Sequence, residues 1–162
     1  MKNSRAFLTA LIASLGLLFV SGCSKKSGDG HAHGHHHTAP HGGTLVELGE
    51  HQFNLELVRD AAAGTFTAYV LDGHAENFVR VPLPAIPITA MVNGMPQPLL
   101  LTATANPATG ETVGNTSAFT AQADWLKTTS SFDVTIPALE IRGATFADVK
   151  FNFPKGADDH GH

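Results

Sequence analysis

From Thr44 to Phe153 the chain is cut into short apolar and β-branched runs by turn residues, and nowhere does it sustain a 3.6-residue period. The runs fall at 44–48, 52–58, 65–71, 86–92, 98–103, 117–122, 132–136 and 145–153. Inside them apolar and polar residues alternate. Phe53, Leu55 and Leu57 share one strand face, with Gln52, Asn54, Glu56 and Val58 on the other; Phe66, Ala68 and Val70 repeat the pattern, as do Phe132, Val134 and Ile136. A period of two requires one face of each strand to be buried. The expectation is an all-β domain over residues 41–156, a single immunoglobulin-like antiparallel β-sandwich of about eight strands, and that length is ordinary for one domain.

Turn chemistry supports this division. Asn93-Gly94 is the strongest hairpin signal, because both turn positions need positive φ, and Arg142-Gly143 is a weaker one. A tight turn at Gly49-Glu50 would pair Leu48 with His51, Val46 with Phe53 and Gly43 with Glu56, and a turn through 60–64 would set Phe66 opposite Leu57 and Asp72 opposite His51. Five prolines between Pro82 and Pro98 predict an edge or a crossing between sheets. Residues 124–127 suit one helical turn, with Trp125 closing an end of the core.

The flanks have different chemistry. Lys2 and Arg5 precede an apolar run from Ala6 to Val20, and Val20-Ser21-Gly22-Cys23 resembles a bacterial lipobox. That resemblance implies a signal peptide over 1–22, cleavage before Cys23, and acylation of Cys23 with chains such as palmitate. Several chains anchor stably where one would not. Ser24 favours the outer membrane, so the expected location is the bacterial cell envelope, lipid-anchored and facing the periplasm. Residues 24–40 contain no large apolar side chain and read as a flexible tether reaching roughly 20–25 Å. Residues 157–162 form an acidic and histidine-bearing tail.

With Cys23 consumed by lipid, the exported chain has no thiol, which excludes thiol catalysis, disulfides and thiolate metal sites. Losing Lys2 and Arg5 leaves eight basic against fourteen acidic residues, a formal charge of −6. Cations are favoured partners and nucleic acid is not.

Six of the ten histidines fall in residues 31–41, His31-Ala-His33-Gly-His35-His36-His37-Thr-Ala-Pro-His41. Neutral imidazole is a good ligand for zinc, nickel and copper, so the tract predicts capture of a divalent transition-metal ion, held transiently and released by protonation at about pH 5–6. His41 and Glu56 would be diagonal neighbours on adjacent strands, about 7–8 Å apart and bridgeable through a metal. His51, Asp72 and His74 would gather at one sheet end as a second nitrogen and oxygen site. Met91 and Met95 flank the Asn-Gly turn and are read as core methionines ahead of a thioether copper site. His160 and His162 add a small chelating tail.

The His-rich tether leading into Pro40-His41-Gly42-Gly43, the Glu56 strand and Tyr69-Val70-Leu71-Asp72 resemble a small domain of periplasmic adaptor subunits of heavy-metal efflux systems, found also in short bacterial lipoproteins. The resemblance spans about residues 31–80. It implies a β-sandwich that meets metal ions in the envelope and favours His41 and Glu56 among the ligands. Unlike an adaptor, this chain has no long coiled-coil hairpin or lipoyl-like module.

No enzyme is expected: Gly-x-Ser-x-Gly, His-Glu-x-x-His and a phosphate-cradling glycine loop are all missing. His31-Ala-His33-Gly-His35 lacks the strand and the Asp of a metallo-β-lactamase site. The expected function is a non-enzymatic envelope lipoprotein that binds zinc, copper or nickel for buffering, resistance or delivery to efflux, with a metal-efflux adaptor or another envelope protein as partner. The alternative is a structural β-sandwich that docks an envelope partner, its histidines incidental.

Overall fold

A computed structural model describes residues 37–105 and 108–156 of the chain. The expected signal peptide over 1–22, Cys23, His31, His33, His35, His36 and residues 157–162 therefore lie outside the described residues. The strands are β1 (Thr44–Leu48), β2 (Phe53–Asp60), β3 (Thr65–Asp72), β4 (Ala85–Val92), β5 (Met95–Thr104), β6 (Ala118–Gln122), β7 (Phe132–Ile141) and β8 (Ala144–Phe153), with one 3-10 turn at Asp124–Lys127. All strand pairs are antiparallel.

The all-β, eight-stranded antiparallel domain expected from the alternation is what forms. Its two packed faces belong to one continuous sheet in the order β1-β2-β3-β6-β5-β4-β7-β8, folded over on itself until nearly closed. Phe66 of β3 meets Phe132 of β7 and Phe153 of β8 edge-on, with ring centroids 5.5 and 5.2 Å apart. Phe53 of β2 likewise meets Phe146 of β8 at 6.1 Å. These contacts place β2 and β3 across the core from β7 and β8. At the seam Thr44 Oγ1 donates to the Pro154 carbonyl at 3.0 Å, tying the start of β1 to the end of β8.

Asn93 and Gly94 have φ of 51° and 77°, and Arg142 and Gly143 have φ of 51° and 84°, the left-handed pairs that close the two hairpins. Pro87 lies in β4, and Pro96 and Pro98 lie in β5, where a residue without N–H cannot extend a ladder on both sides. Accordingly β4 meets β7 over only Thr89, Ala90 and Met91, and β5 meets β6 over only Thr102, Ala103 and Thr104. The proline-rich hairpin thus bridges the two halves of the sheet. Trp125 packs edge-on against Phe132 at 5.0 Å while Leu126 is fully buried, so the short turn caps one end of the core.

Two registers differ from expectation by two residues. Leu48 pairs with Phe53 and Val46 with Leu55, and Phe53 pairs with Asp72 and Leu57 with Ala68. The first connection is a four-residue turn, with Gly49 at φ 51°, His51 at φ 61° and the Gln52 N–H donating to the Gly49 carbonyl at 2.6 Å. A shift of two keeps every side chain on its expected face, so burial alone could not distinguish the registers. A second departure is that β2 is covered on both sides: Asn54 and Glu56 are as buried as Leu55 and Leu57.

Candidate metal centre

The cover over Glu56 is the segment Pro40-His41-Gly42-Gly43. Gly42, at φ 68°, turns the chain, and its N–H donates to the Ala39 carbonyl at 3.0 Å. Gly43 lies flat on β2, where an added Cβ would sit 2.5 Å from the Leu57 carbonyl oxygen and 2.9 Å from Glu56 Cγ. Glu56 Oε1 then accepts the N–H groups of His41 at 2.6 Å and Gly43 at 3.0 Å. Its Oε2 lies 2.8 Å from His41 Nδ1. An ionised carboxyl only accepts, so opposite one it is Nδ1 that donates, and in the neutral imidazole with that tautomer Nε2 keeps its lone pair. The imidazole stacks on Tyr69 at 3.9 Å and 14° and leans on Phe78 at 5.6 Å, with its side chain 34% exposed. Tyr69 is the cross-strand partner of Glu56, and burial, followed by the nearby carboxylate, raises its hydroxyl pKa.

The pair expected from the sequence, His41 and Glu56, is thus brought into direct contact. With both oxygens engaged, Glu56 positions the imidazole, in the way that a carboxylate behind a metal-binding histidine orients the ring and sets its tautomer.

A second histidine group forms where two turns meet. His51 donates its N–H to Glu47 Oε1 at 2.9 Å and holds Nδ1 3.1 Å from Glu47 Oε2. The neighbouring turn begins at Asp72, whose carboxylate accepts the Glu76 N–H at 2.9 Å, the Asn77 N–H at 3.3 Å and the Asn77 amide at 2.6 Å. Burial pushes the Asp72 carboxyl upward, but these bonds outweigh it and hold the pKa below the usual carboxylate range. The expected register is corrected on this point: Asp72 pairs with Phe53 rather than His51, and its carboxylate accepts hydrogen bonds within its own turn. The ring of His37 lies 6.3 Å from that of His51 and 5.9 Å from that of His74, both edge-to-face. Among the described residues no three His, Cys, Asp or Glu side chains are yet close enough to hold an ion.

Met91 and Met95 are not core residues; they are 40% and 60% exposed. Val92 pairs with Met95 and Met91 with Pro96, so the two sulfurs point to opposite faces of the hairpin and form no thioether pair.

Three polar residues escaped sequence reasoning. Asn54 donates its amide to the carbonyls of Asp72 and Gly73 at 3.1 and 3.0 Å, tying the second turn to β2. Glu47 orients His51 as described. Glu111, buried beside Arg80, accepts from Thr116 Oγ1 at 2.8 Å, the Ser117 N–H at 2.8 Å and Ser117 Oγ at 3.1 Å. Polar residues at alternate positions of a strand are the only signal that marked Asn54, and nothing in the local sequence marked Glu111.

Burial raises the Glu111 carboxyl, and the bonds from Ser117, Thr116 and Thr109 more than reverse this. A folded pKa below the unfolded one stabilises the fold above about pH 4 and loses that contribution as pH falls through the folded value. Urea midpoints should therefore drop between pH 5 and pH 3, and Glu111→Gln and Asp72→Asn should each flatten the drop. Parallel curves for both variants and the parent would contradict the assignment.

Comparison of the chain with protein-family models, curated proteins and solved structures found no match.

Proposed function

We propose that this chain is a non-enzymatic, lipid-anchored protein of the bacterial envelope that binds a divalent transition-metal ion, zinc, copper or nickel, for buffering, resistance or delivery to efflux. The observation that carries the reading is the buried Glu56 carboxylate 2.8 Å from His41 Nδ1. A fully buried carboxylate devoted to one partly exposed imidazole fixes the tautomer whose Nε2 can ligate, and it does so at the mouth of a histidine-rich tether. The chain supplies imidazole and carboxylate without thiolate, a set suited to borderline ions. Its excess of acidic residues attracts cations to the same surface.

Calorimetric titration of the exported chain, purified without an affinity tag, with zinc chloride at neutral pH tests the reading. Binding tighter than about 100 µM is expected, which corresponds to more than about 5.5 kcal/mol. Removing residues 24–40 should weaken it. An intact chain that binds no zinc, copper(II) or nickel in this range would leave the alternative, a β-domain docking an envelope partner through an apolar surface such as Pro87, Pro98, Leu100 and Pro137.

A further inference from the structure

We infer that His37, His51 and His74 form a three-imidazole site for a divalent ion of the zinc class, with Glu47 as the positioning carboxylate, and that the ion fastens the end of the tether to the domain. The inference rests on the metal-binding reading above and locates its principal site away from His41.

Three segments supply the three rings. His37 belongs to the same compact unit as the sheet, His35–His162, and its ring is the one that neighbours both others. His51 sits in the β1–β2 turn with positive φ, and His74 sits in the turn that follows β3. The two turns are held together by main-chain packing. A Cβ on Gly73 would overlap the His51 carbonyl oxygen and come within 3.4 Å of that of Gln52, so the turns touch backbone to backbone. Asn54 fixes the same loop from below through the carbonyls of Asp72 and Gly73. Two ligands are thus placed by rigid neighbours, and the tether brings the third.

For the two ring pairs that share His37, the spacing is close to what coordination requires. Zinc–nitrogen bonds of about 2.0–2.1 Å in a tetrahedral shell put the centroids of two ligating imidazoles about 5.2 Å apart. The observed 5.9 and 6.3 Å exceed this by about an ångström, within reach of side-chain rotation at the exposed His51 and His74. His51 is also oriented for the task, because Nδ1 faces Glu47 and, with the proton there, Nε2 is the ligating nitrogen.

The surroundings favour a cation. Glu47, Glu50, Asp72 and Glu76 lie in or beside the two turns, while residues 44–58 and 69–79 contain no Lys or Arg. Three neutral nitrogens without sulfur suit zinc, nickel or copper(II) over copper(I), calcium or magnesium. Three protein ligands leave the fourth position to water or an exchanging ligand, an arrangement suited to handing the ion on.

The test uses the full exported chain with His31, His33, His35 and His36 changed to Ser, so that the rest of the tract cannot substitute for His37. Zinc chloride is titrated at neutral pH, with cobalt(II) absorption as a second readout. One tight site with the intense visible bands of four-coordinate cobalt is expected. His51→Asn, which tolerates positive φ, and His74→Ala should each weaken zinc by about 100-fold and abolish the bands, and Glu47→Gln should weaken it by at least about tenfold. Zinc should raise the Tm of the background and not that of a variant carrying both His51→Asn and His74→Ala. If His51→Asn and His74→Ala leave affinity unchanged while the chain still binds zinc, this site is wrong and the metal-binding function stands. A background that loses the zinc binding of the unmodified chain overturns it equally. A chain that binds no zinc in any form removes both.

Discussion

Glu56→Gln should keep the fold and lose metal affinity at His41, whereas Glu56→Ala should lose both. Glutamine still presents an oxygen to the N–H groups of His41 and Gly43, which Glu56 Oε1 now receives at 2.6 and 3.0 Å. Its amide nitrogen, however, would face His41 Nδ1 where Oε2 lies at 2.8 Å. A donor there demands an acceptor, so the imidazole must move its proton to Nε2 and surrender the outward lone pair. The expected loss at His41 is about 10- to 100-fold, the usual cost of removing a carboxylate behind a ligating histidine. Alanine instead leaves two N–H groups and the Nδ1–H unpaired over a fully buried position, at a cost of about 3 kcal/mol. NMR of the His41 ring nitrogens reads the tautomer directly, and urea midpoints read stability. A Gln variant whose tautomer matches the parent would show that Tyr69 stacking, and not the carboxylate, sets the ring.

Much of this arrangement was legible in the residues, and what was not has identifiable physical causes. Strict alternation at Phe53, Leu55 and Leu57 reports which face is buried, and it reports that equally well in any register shifted by two. Only the turns decide, and the β1–β2 turn takes four residues because His51 accepts positive φ with its N–H caught by Glu47. The same blindness affects Glu56: alternation places it opposite the core, correctly, but cannot reveal that residues 40–43 fold back over it. The sequence therefore pairs His41 with Glu56 but does not show that the carboxylate meets the imidazole and the backbone N–H groups directly. His51 and His74 are legible too, but nothing in the spacing of Asp72 shows the three hydrogen bonds it accepts from its own turn. The sequence marks His37 only as one of several tract histidines, and only the fold brings its ring beside those of His51 and His74. The recurring device, visible only in three dimensions, is a carboxylate at Nδ1: Glu56 behind His41 and Glu47 behind His51.

Gly73→Ala should be among the most damaging single-methyl additions in this protein, and its damage should reach the histidines without touching any of them. The added Cβ has no room: beyond its overlap with the His51 carbonyl oxygen it would lie 3.0 Å from the carbonyl carbon. Both atoms are main chain and cannot rotate aside, so the two turns must part by about an ångström, with a cost of about 3 kcal/mol. Parting them stretches the Asn54 bonds to the Asp72 and Gly73 carbonyls and carries His51 away from His74. A site assembled across the turns should then lose most of its zinc affinity, because displacing a ligand by this distance forfeits the geometry that preorganisation supplies. His41, seated on Tyr69 and Glu56, should keep the ring environment seen by NMR. The two readouts must therefore separate: lower Tm and weaker zinc binding, with unchanged His41 ring signals. Parent-like zinc affinity in a Gly73→Ala chain of lowered stability would mean that the turn-to-turn contact supports the fold alone and that the ion is held elsewhere.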